Sequence, residues 1–307
     1  MTYDLAIIGG GPAGVAAGVY AARKKLKTVF LTKDFGGQSS VSNGVQNWIG
    51  TVEISGLDLA ENLKKHLKAY AGETVDIKEG ALAEKISGKA GNFTITTPKG
   101  EFKAKAILIA SGSRRRKLEA VNADKFEHKG ITYCASCDGP LFADQDVVVV
   151  GGGNAAFESA SQLLAYCPSV SMFIRGEKFR ADPSTVEKVS ADPKFKLFKD
   201  TVITEVKGDK FIKSVVYKNS KTGETKEMPT GGIFVEVGSI PNTDFVKSMI
   251  KMDEWNQIVI DPKNQKTSVA GIWAAGDCTD VLYHQNNIAA GDAVRALEDI
   301  YINLRTK

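Results

Sequence analysis

Two glycine-rich turns, each set between an apolar strand and a helix, constrain this chain more than any other feature of its sequence. The first is Gly9-Gly10-Gly11-Pro12-Ala13-Gly14, after the apolar run Tyr3 to Ile8 and before the alanine-rich stretch Val15 to Lys25. It fits the G-x-G-x-x-G spacing in strand–turn–helix context, and Thr28 to Thr32 reads as the next strand. The second is Gly151-Gly152-Gly153-Asn154-Ala155-Ala156, between the strand Val147 to Val150 and the helical stretch Phe157 to Tyr166. In each unit the following strand ends 23 positions after the first glycine, at Thr32 and at Ile174. Glycines permit the tight turn and let the backbone approach a pyrophosphate, and the helix start offers free N–H groups. One such turn arises readily without a ligand. Two in matching contexts imply two dinucleotides, and flavin with nicotinamide is the usual pair.

The chain has 307 residues, too many for one ordinary core, so two domains are expected. Its 25% charged and 43% hydrophobic residues give a globular balance. Apolar runs such as Val147 to Val150 are far short of a membrane span. Met1 leads straight into a strand, leaving no place for a secretory leader, so a cytoplasmic protein is expected. The net charge is +4 with dispersed lysines, which suits a solvated surface and not a nucleic-acid arm. The one basic cluster, Arg114 to Lys117, suits either an acidic protein partner or a hinge. Leu57 to Tyr70 reads as a helix, Thr94 to Thr97 and Glu101 to Ala104 as short strands, and Lys105 to Ala110 as an apolar strand. Val202 to Tyr217 is strand-like, Ile272 to Asp277 is a strand ending in an acid, and Asn286 to Leu304 is a closing helix.

The four cysteines, Cys134, Cys137, Cys167 and Cys278, are too few for a disulfide scaffold. Cys134-Ala135-Ser136-Cys137 is a C-x-x-C pair just before the second unit, able to close a small redox ring. Zinc needs four ligands, and no second pair exists, so no metal site is expected. Asp138 follows directly and is placed either to move protons on and off sulfur or to cap a helix. Cys167 reads as core. No chemistry is assigned to Cys278. His66 and His128 read as surface residues, and His284 as structural or flavin-contacting.

Together these residues resemble the low-molecular-weight thioredoxin reductase family across essentially the whole chain. The resemblance rests on the first glycine motif, Gly36-Gly37-Gln38, Asn47, Ala110-Ser111-Gly112, Tyr133 through Gly139, Gly151 to Glu158, Pro241-Asn242 and Ala274-Ala275-Gly276-Asp277. Asp34 to Gln38, Asp138 to Phe142 and Ala275 to Thr279 look closer still to the C-terminal reductase portion of the alkyl hydroperoxide reductase flavoprotein. That protein carries an N-terminal thioredoxin-like extension not seen here, so a freestanding reductase is expected.

The resemblance implies an α/β fold of two Rossmann-like domains, the nicotinamide domain inserted into a discontinuous FAD domain. The implied segments are 1–113 and 244–307 for FAD and 114–243 for the nicotinamide nucleotide and the disulfide. Gly9, Gly11, Pro12, Ala13, Gly14, Asp34, Gly37, Gln38, Asn47, Ala110, Gly112, Asp277 and Gln285 are the implied FAD residues, with Asp277 on the ribityl chain. Gly151, Gly153, Asn154, Ala155, Glu158, Arg175 and Arg180 are the implied nicotinamide-nucleotide residues. Cys137 would lie against the flavin, Cys134 would attack the partner's disulfide, and Asp138 would be the acid–base residue. A rotation of one domain against the other, a homodimer, and thioredoxin or a thioredoxin-like or peroxiredoxin-linked partner are also implied.

The sequence departs from the family at three places. Thr32 stands where an acid usually ends the strand, with Asp34 as the substitute. Gly176 replaces the second of the arginines that pair with a 2′-phosphate, while Arg175 and Arg180 remain, and Glu177 adds a negative charge. NADPH is favoured over NADH, because arginine forks suit phosphate and Ile174 supplies no ribose-binding acid. Glu119 to Ala123 replaces a Pro-Gly turn. Three rival functions stay open: a dithiol oxidase that uses oxygen, a reductase fed by a non-nicotinamide donor, and a non-catalytic redox sensor.

Overall fold

The computed structural model describes residues 1–42 and 44–305. The chain divides into two units, Met1–Arg114 with Ile240–Lys307, and Arg115–Ser239. The first begins with strand β1 (Thr2–Ile8), helix α1 (Pro12–Arg23), β2 (Thr28–Thr32), α2 (Gly56–Ala71) and β3 (Val75–Glu79). A meander of β4 (Lys85–Lys89), β5 (Asn92–Thr97) and β6 (Gly100–Ile109) follows, and then the short β7 (Ser113–Arg115). The chain re-enters this unit after the second one and adds β17 (Ile272–Ala274) and α6 (Asn286–Arg305).

In the first unit β3, β2, β1, β6 and β17 pair in parallel, and β5 and β4 extend the sheet antiparallel from β6. Alternation along β1 serves both faces. Leu5 and Ile7 join α1, α2 and α6 through Val15, Leu63 and Leu297, while Ala6 and Ile8 join Ile95, Ile107 and Ile258. The sequence suggests two strands in Glu101 to Ala104 and Lys105 to Ala110, but they are one strand with two characters. Its first half pairs antiparallel with β5 and is mostly exposed, and its second half lies between β1 and β17, buried on both faces. The period of the side chains changes because the neighbours change.

The second unit contains β8 (Ile131–Thr132), α3 (Ala135–Asp138), β9 (Val147–Val150), α4 (Asn154–Leu163), β10 (Val170–Phe173), α5 (Pro183–Ser190) and β11 (Phe195–Phe198). Then come β12 (Thr201–Gly208), β13 (Ile212–Asn219), β14 (Thr225–Pro229), β15 (Gly232–Val235) and β16 (Ser239–Pro241), the last crossing the unit boundary. Its parallel sheet has the order β11-β10-β9-β15-β8. Val147, Val149 and Phe234 face Phe157 and Leu163 of α4, and Val148 and Ile233 face Val206 and Val215 of the β12–β14 meander. The strand-like stretch Val202 to Tyr217 is a hairpin, broken around residues 209–211. The helix expected from Phe157 begins earlier, at Asn154, so Asn154 to Ala156 form its first turn instead of the preceding loop. Val121, in the stretch that departs from the family, bridges to Glu205 at the edge of β12. No helix among the described residues is long and apolar enough to cross a membrane.

Candidate active site

The first glycine turn forms one wall of a cleft of 810 Å³ in the first unit, a size suited to a large cofactor. Gly9 has φ +123°, and a Cβ there would fall 2.0 Å from the Ala110 carbonyl oxygen. A Cβ on Gly14 would fall 1.9 Å from the Gly9 carbonyl oxygen. Both glycines are therefore required by the fold itself. Gly11 differs: a Cβ there would meet nothing nearer than the Gly37 Cα at 3.9 Å, so it leaves room for a ligand. Gly11 also caps α1, with no side-chain cap and no acid in the first turn, so the helix start is open to an anion.

Gly9, Gly11, Pro12, Ala13, Asp34, Gly37, Gln38, Ala110, Gly112 and Asp277 all line this cleft. Thr32 is buried, and its hydroxyl donates to the Asp34 carbonyl, leaving the exposed Asp34 side chain at the rim. Gly14 lies beneath the turn. Asn47 and Gln285 are absent from the lining. They meet each other, Asn47 Nδ2 donating to Gln285 Oε1 at 3.1 Å, and Asn287 Nδ2 donates to the Asn47 carbonyl at 2.7 Å. Several lining residues stand outside the implied FAD residues. Ser113 accepts from Gln38 Nε2 at 3.1 Å, Ser39 donates to Asn286 Oδ1 at 2.9 Å, and Ser111 and Asn242 exchange two hydrogen bonds. The polar residue that opens α6 is the one signal that points to Asn286. His284 is partly buried, and its Nε2 has no hydrogen-bond partner among the described residues.

In the second unit Cys134 and Cys137 form a disulfide with Cα atoms 5.3 Å apart. Cys134 is the N-cap of α3, and its Sγ accepts from the Cys137 N–H at 3.2 Å. Ala135, buried, anchors this short helix in the core shared with α4. Asp138 is the last residue of α3 and the N-cap residue of the 3-10 turn Gly139–Phe142, but its side chain makes no capping hydrogen bond there, and its carboxylate accepts from the Thr132 hydroxyl at the end of β8. The other two thiols are buried. Cys278 donates towards the Ala275 carbonyl and Cys167 towards the Phe142 carbonyl, and burial pushes each thiol up to about 11, so neither is a thiolate at neutral pH.

The second glycine turn repeats the first. Gly151 has φ +149°, and a Cβ there would fall 2.3 Å from the Glu236 carbonyl oxygen. Gly153 caps α4 with no side-chain cap and no acid in the first turn, and a Cβ there would meet nothing. Asn154 Oδ1 accepts from the Asp182 N–H at 2.8 Å, so this oxygen holds the start of α5. Ala155 and Glu158 are exposed on α4. Arg175 is exposed just beyond β10, and the Arg180 N–H donates to the Gly152 carbonyl at 2.7 Å, bringing that arginine to the turn. Glu177 is engaged by Lys221 at 3.1 Å, which offsets its charge beside the arginines.

Residues 3–293 match the family described as pyridine nucleotide-disulphide oxidoreductase. A Bacillus subtilis protein named NADH dehydrogenase is 32% identical over 295 residues, and a Pseudomonas putida alkyl hydroperoxide reductase component is 35% identical over 297. Each match covers 96% of this chain, which spans 57% and 56% of those proteins. Thioredoxin reductase from Streptococcus pyogenes superposes with a TM-score of 0.90 at 32% identity, covering 100% of this chain and 99% of that one. The enzyme from Giardia duodenalis gives 0.90 at 33%, covering 98% and 99%. With both dinucleotide turns and the cysteine pair inside these matches, the chain belongs to the pyridine nucleotide-disulphide oxidoreductases, as a thioredoxin reductase-like member whose family uses a flavin and a pyridine nucleotide.

Proposed function

We propose that this protein is an FAD-dependent disulfide reductase. It takes electrons from a nicotinamide nucleotide, NADPH in preference to NADH, and delivers them through Cys134–Cys137 to thioredoxin or a thioredoxin-like, peroxiredoxin-linked protein. The observation that carries this reading is the closed Cys134–Cys137 pair in the same unit as the second open glycine turn, with the large cleft over the first turn in the other unit. The cleft suits FAD: the start of α1 faces it without a competing acid, Gly11 leaves it open, and Asp277 and Gln38 supply polar groups for a ribityl chain. When bound, the flavin supplies two-electron chemistry, accepting hydride from a dihydronicotinamide and reducing a disulfide.

The residues of the chain have separate tasks in this reading. The α1 and α4 starts hold the two pyrophosphates. Cys134 exchanges with the partner's disulfide, and Asp138, held by Thr132, moves the proton that thiol exchange requires. Asp138→Asn is expected to slow thioredoxin reduction about a hundredfold, with flavin content unchanged. A full rate in that variant would remove Asp138 from the chemistry.

The preference for NADPH rests on Arg175 and Arg180. A side chain at Gly176 would meet nothing within 4 Å, so Gly176→Arg adds a donor without disturbing the fold. It should raise the ratio of kcat/KM for NADPH over NADH about tenfold, the worth of one charge-assisted contact. An unchanged ratio would place the 2′-phosphate elsewhere.

Anaerobic titration of the purified protein with NADPH and then NADH, following the flavin absorption, tests the whole reading. Rapid bleaching by either supports it. Bleaching by dithionite alone would exclude a nicotinamide donor and favour a ferredoxin-like donor or a dithiol oxidase.

A further inference from the structure

Glu236 is an acid with no task in the chemistry above. It directly follows Val235, the last residue of β15, and its N–H donates to the Val150 carbonyl at 2.8 Å. Its own carbonyl lies against Gly151, so the residue underlies the second glycine turn. Its carboxylate accepts from the Ser159 hydroxyl of α4 at 2.6 Å. An acid after an apolar strand would ordinarily turn to water, but this one is folded back under the turn.

The strand order shows which part of a nucleotide would lie above it. β9, which leads into the turn, is flanked by β10 on one side and β15 on the other. A dinucleotide lies across the carboxyl ends of such strands with its pyrophosphate on the turn. Arg175 follows β10, which makes that side the adenosine side. The nicotinamide half then falls on the β15 side, at Glu236.

We propose that Glu236 faces the nicotinamide half of the bound nucleotide and makes the site discriminate the cationic oxidised ring from the neutral reduced ring. This rests on the nicotinamide reading of the second unit. An ionised carboxylate attracts the cationic ring and gives the neutral ring nothing comparable, while a protonated carboxyl treats the two nearly alike. The groups facing the carboxyl are Ser159 and Glu158 on α4 and Arg115 at the end of β7. Burial raises its pKa, the Ser159 hydrogen bond and Arg115 lower it, and Glu158 raises it, with a net upward shift. Discrimination therefore appears as pH rises through a range above that of an ordinary carboxylate. At higher pH the oxidised product is held more tightly, and its release slows.

The test titrates oxidised holoenzyme with NADP⁺ and with the tetrahydro analogue of NADPH, whose ring is uncharged and yields no hydride. The NAD⁺ pair replaces them if the protein prefers it. From mildly acid to mildly alkaline pH, NADP⁺ should gain about fivefold over the analogue in the wild type. Glu236→Gln should abolish the gain. Ser159→Ala removes the hydrogen bond that lowers the pKa, so it should move the midpoint of the gain to higher pH, a shift that a purely structural role would not produce. A ratio independent of pH in the wild type, or a gain that survives Glu236→Gln, overturns the assignment while the nicotinamide reading stands. If no nucleotide of either pair binds, the nicotinamide reading fails and takes this inference with it.

Discussion

Replacing Cys134 with serine should cut thioredoxin reduction at least about a thousandfold while leaving nicotinamide-driven bleaching of the flavin in place. Disulfide exchange requires attack by one sulfur and departure of another, and a hydroxyl can do neither at neutral pH. Serine is the informative substitution because Cys134 also caps α3, accepting from the Cys137 N–H. Serine is among the preferred capping residues, so the short helix is retained and the loss reports chemistry. The ring spans only four residues, so by chain entropy its closure contributes about 2 kcal/mol to folding, and the variant should remain folded. The assay pairs a thioredoxin-coupled dithiol readout with anaerobic absorption of the flavin. Undiminished thioredoxin turnover would mean that electrons leave by another route. The other two cysteines offer none, since both are buried and protonated.

A second large effect separates two glycines of one turn. Gly14→Ala places a methyl 1.9 Å from the Gly9 carbonyl oxygen, and neither backbone segment has room to yield. The expected cost is about 3 kcal/mol, a fall in Tm of about 6–12 °C measured on flavin-free protein, with loss of bound flavin. Gly11→Val occupies only the open cleft, so the flavin-free protein should keep its Tm to within about 3 °C while flavin retention collapses. Flavin-free samples matter, because a bound cofactor raises Tm by mass action and would blur the contrast. Equal losses of Tm in the two variants would contradict the distinction between a glycine needed by the fold and one needed by the ligand.

Much of the candidate site was legible because its signals are local. Both turns need backbone conformations or approaches that only glycine allows, and those needs are written in consecutive residues. The cysteine pair closes a ring of four residues, which spacing alone suggests. What escaped depends on long-range contact. The hydrogen bond between Asn47 and Gln285 joins positions 238 apart, and neither local stretch announces it. Asn154 sits in the motif, but its side-chain oxygen is committed to the start of α5. Glu236 looks like a solvated acid after an apolar strand until the sheet order sets β15 beside β9. The misread strand at 100–109 has the same origin, since its two halves have different neighbours.

The discontinuous first unit also bears on synthesis at the ribosome. The second unit, Arg115–Ser239, is one uninterrupted stretch and can complete its sheet as soon as it has emerged. The first unit cannot. Its β6 lacks the parallel neighbour β17, and the apolar face of α1 lacks Ala293, Leu297 and Ile300 of α6, until the last part of the chain has been translated. During that interval a nascent chain carries a finished domain beside an unfinished one with an open sheet edge and uncovered core. Chaperone dependence during biogenesis, and aggregation when translation stops early, should therefore trace to the first unit and not to the unit that carries the disulfide.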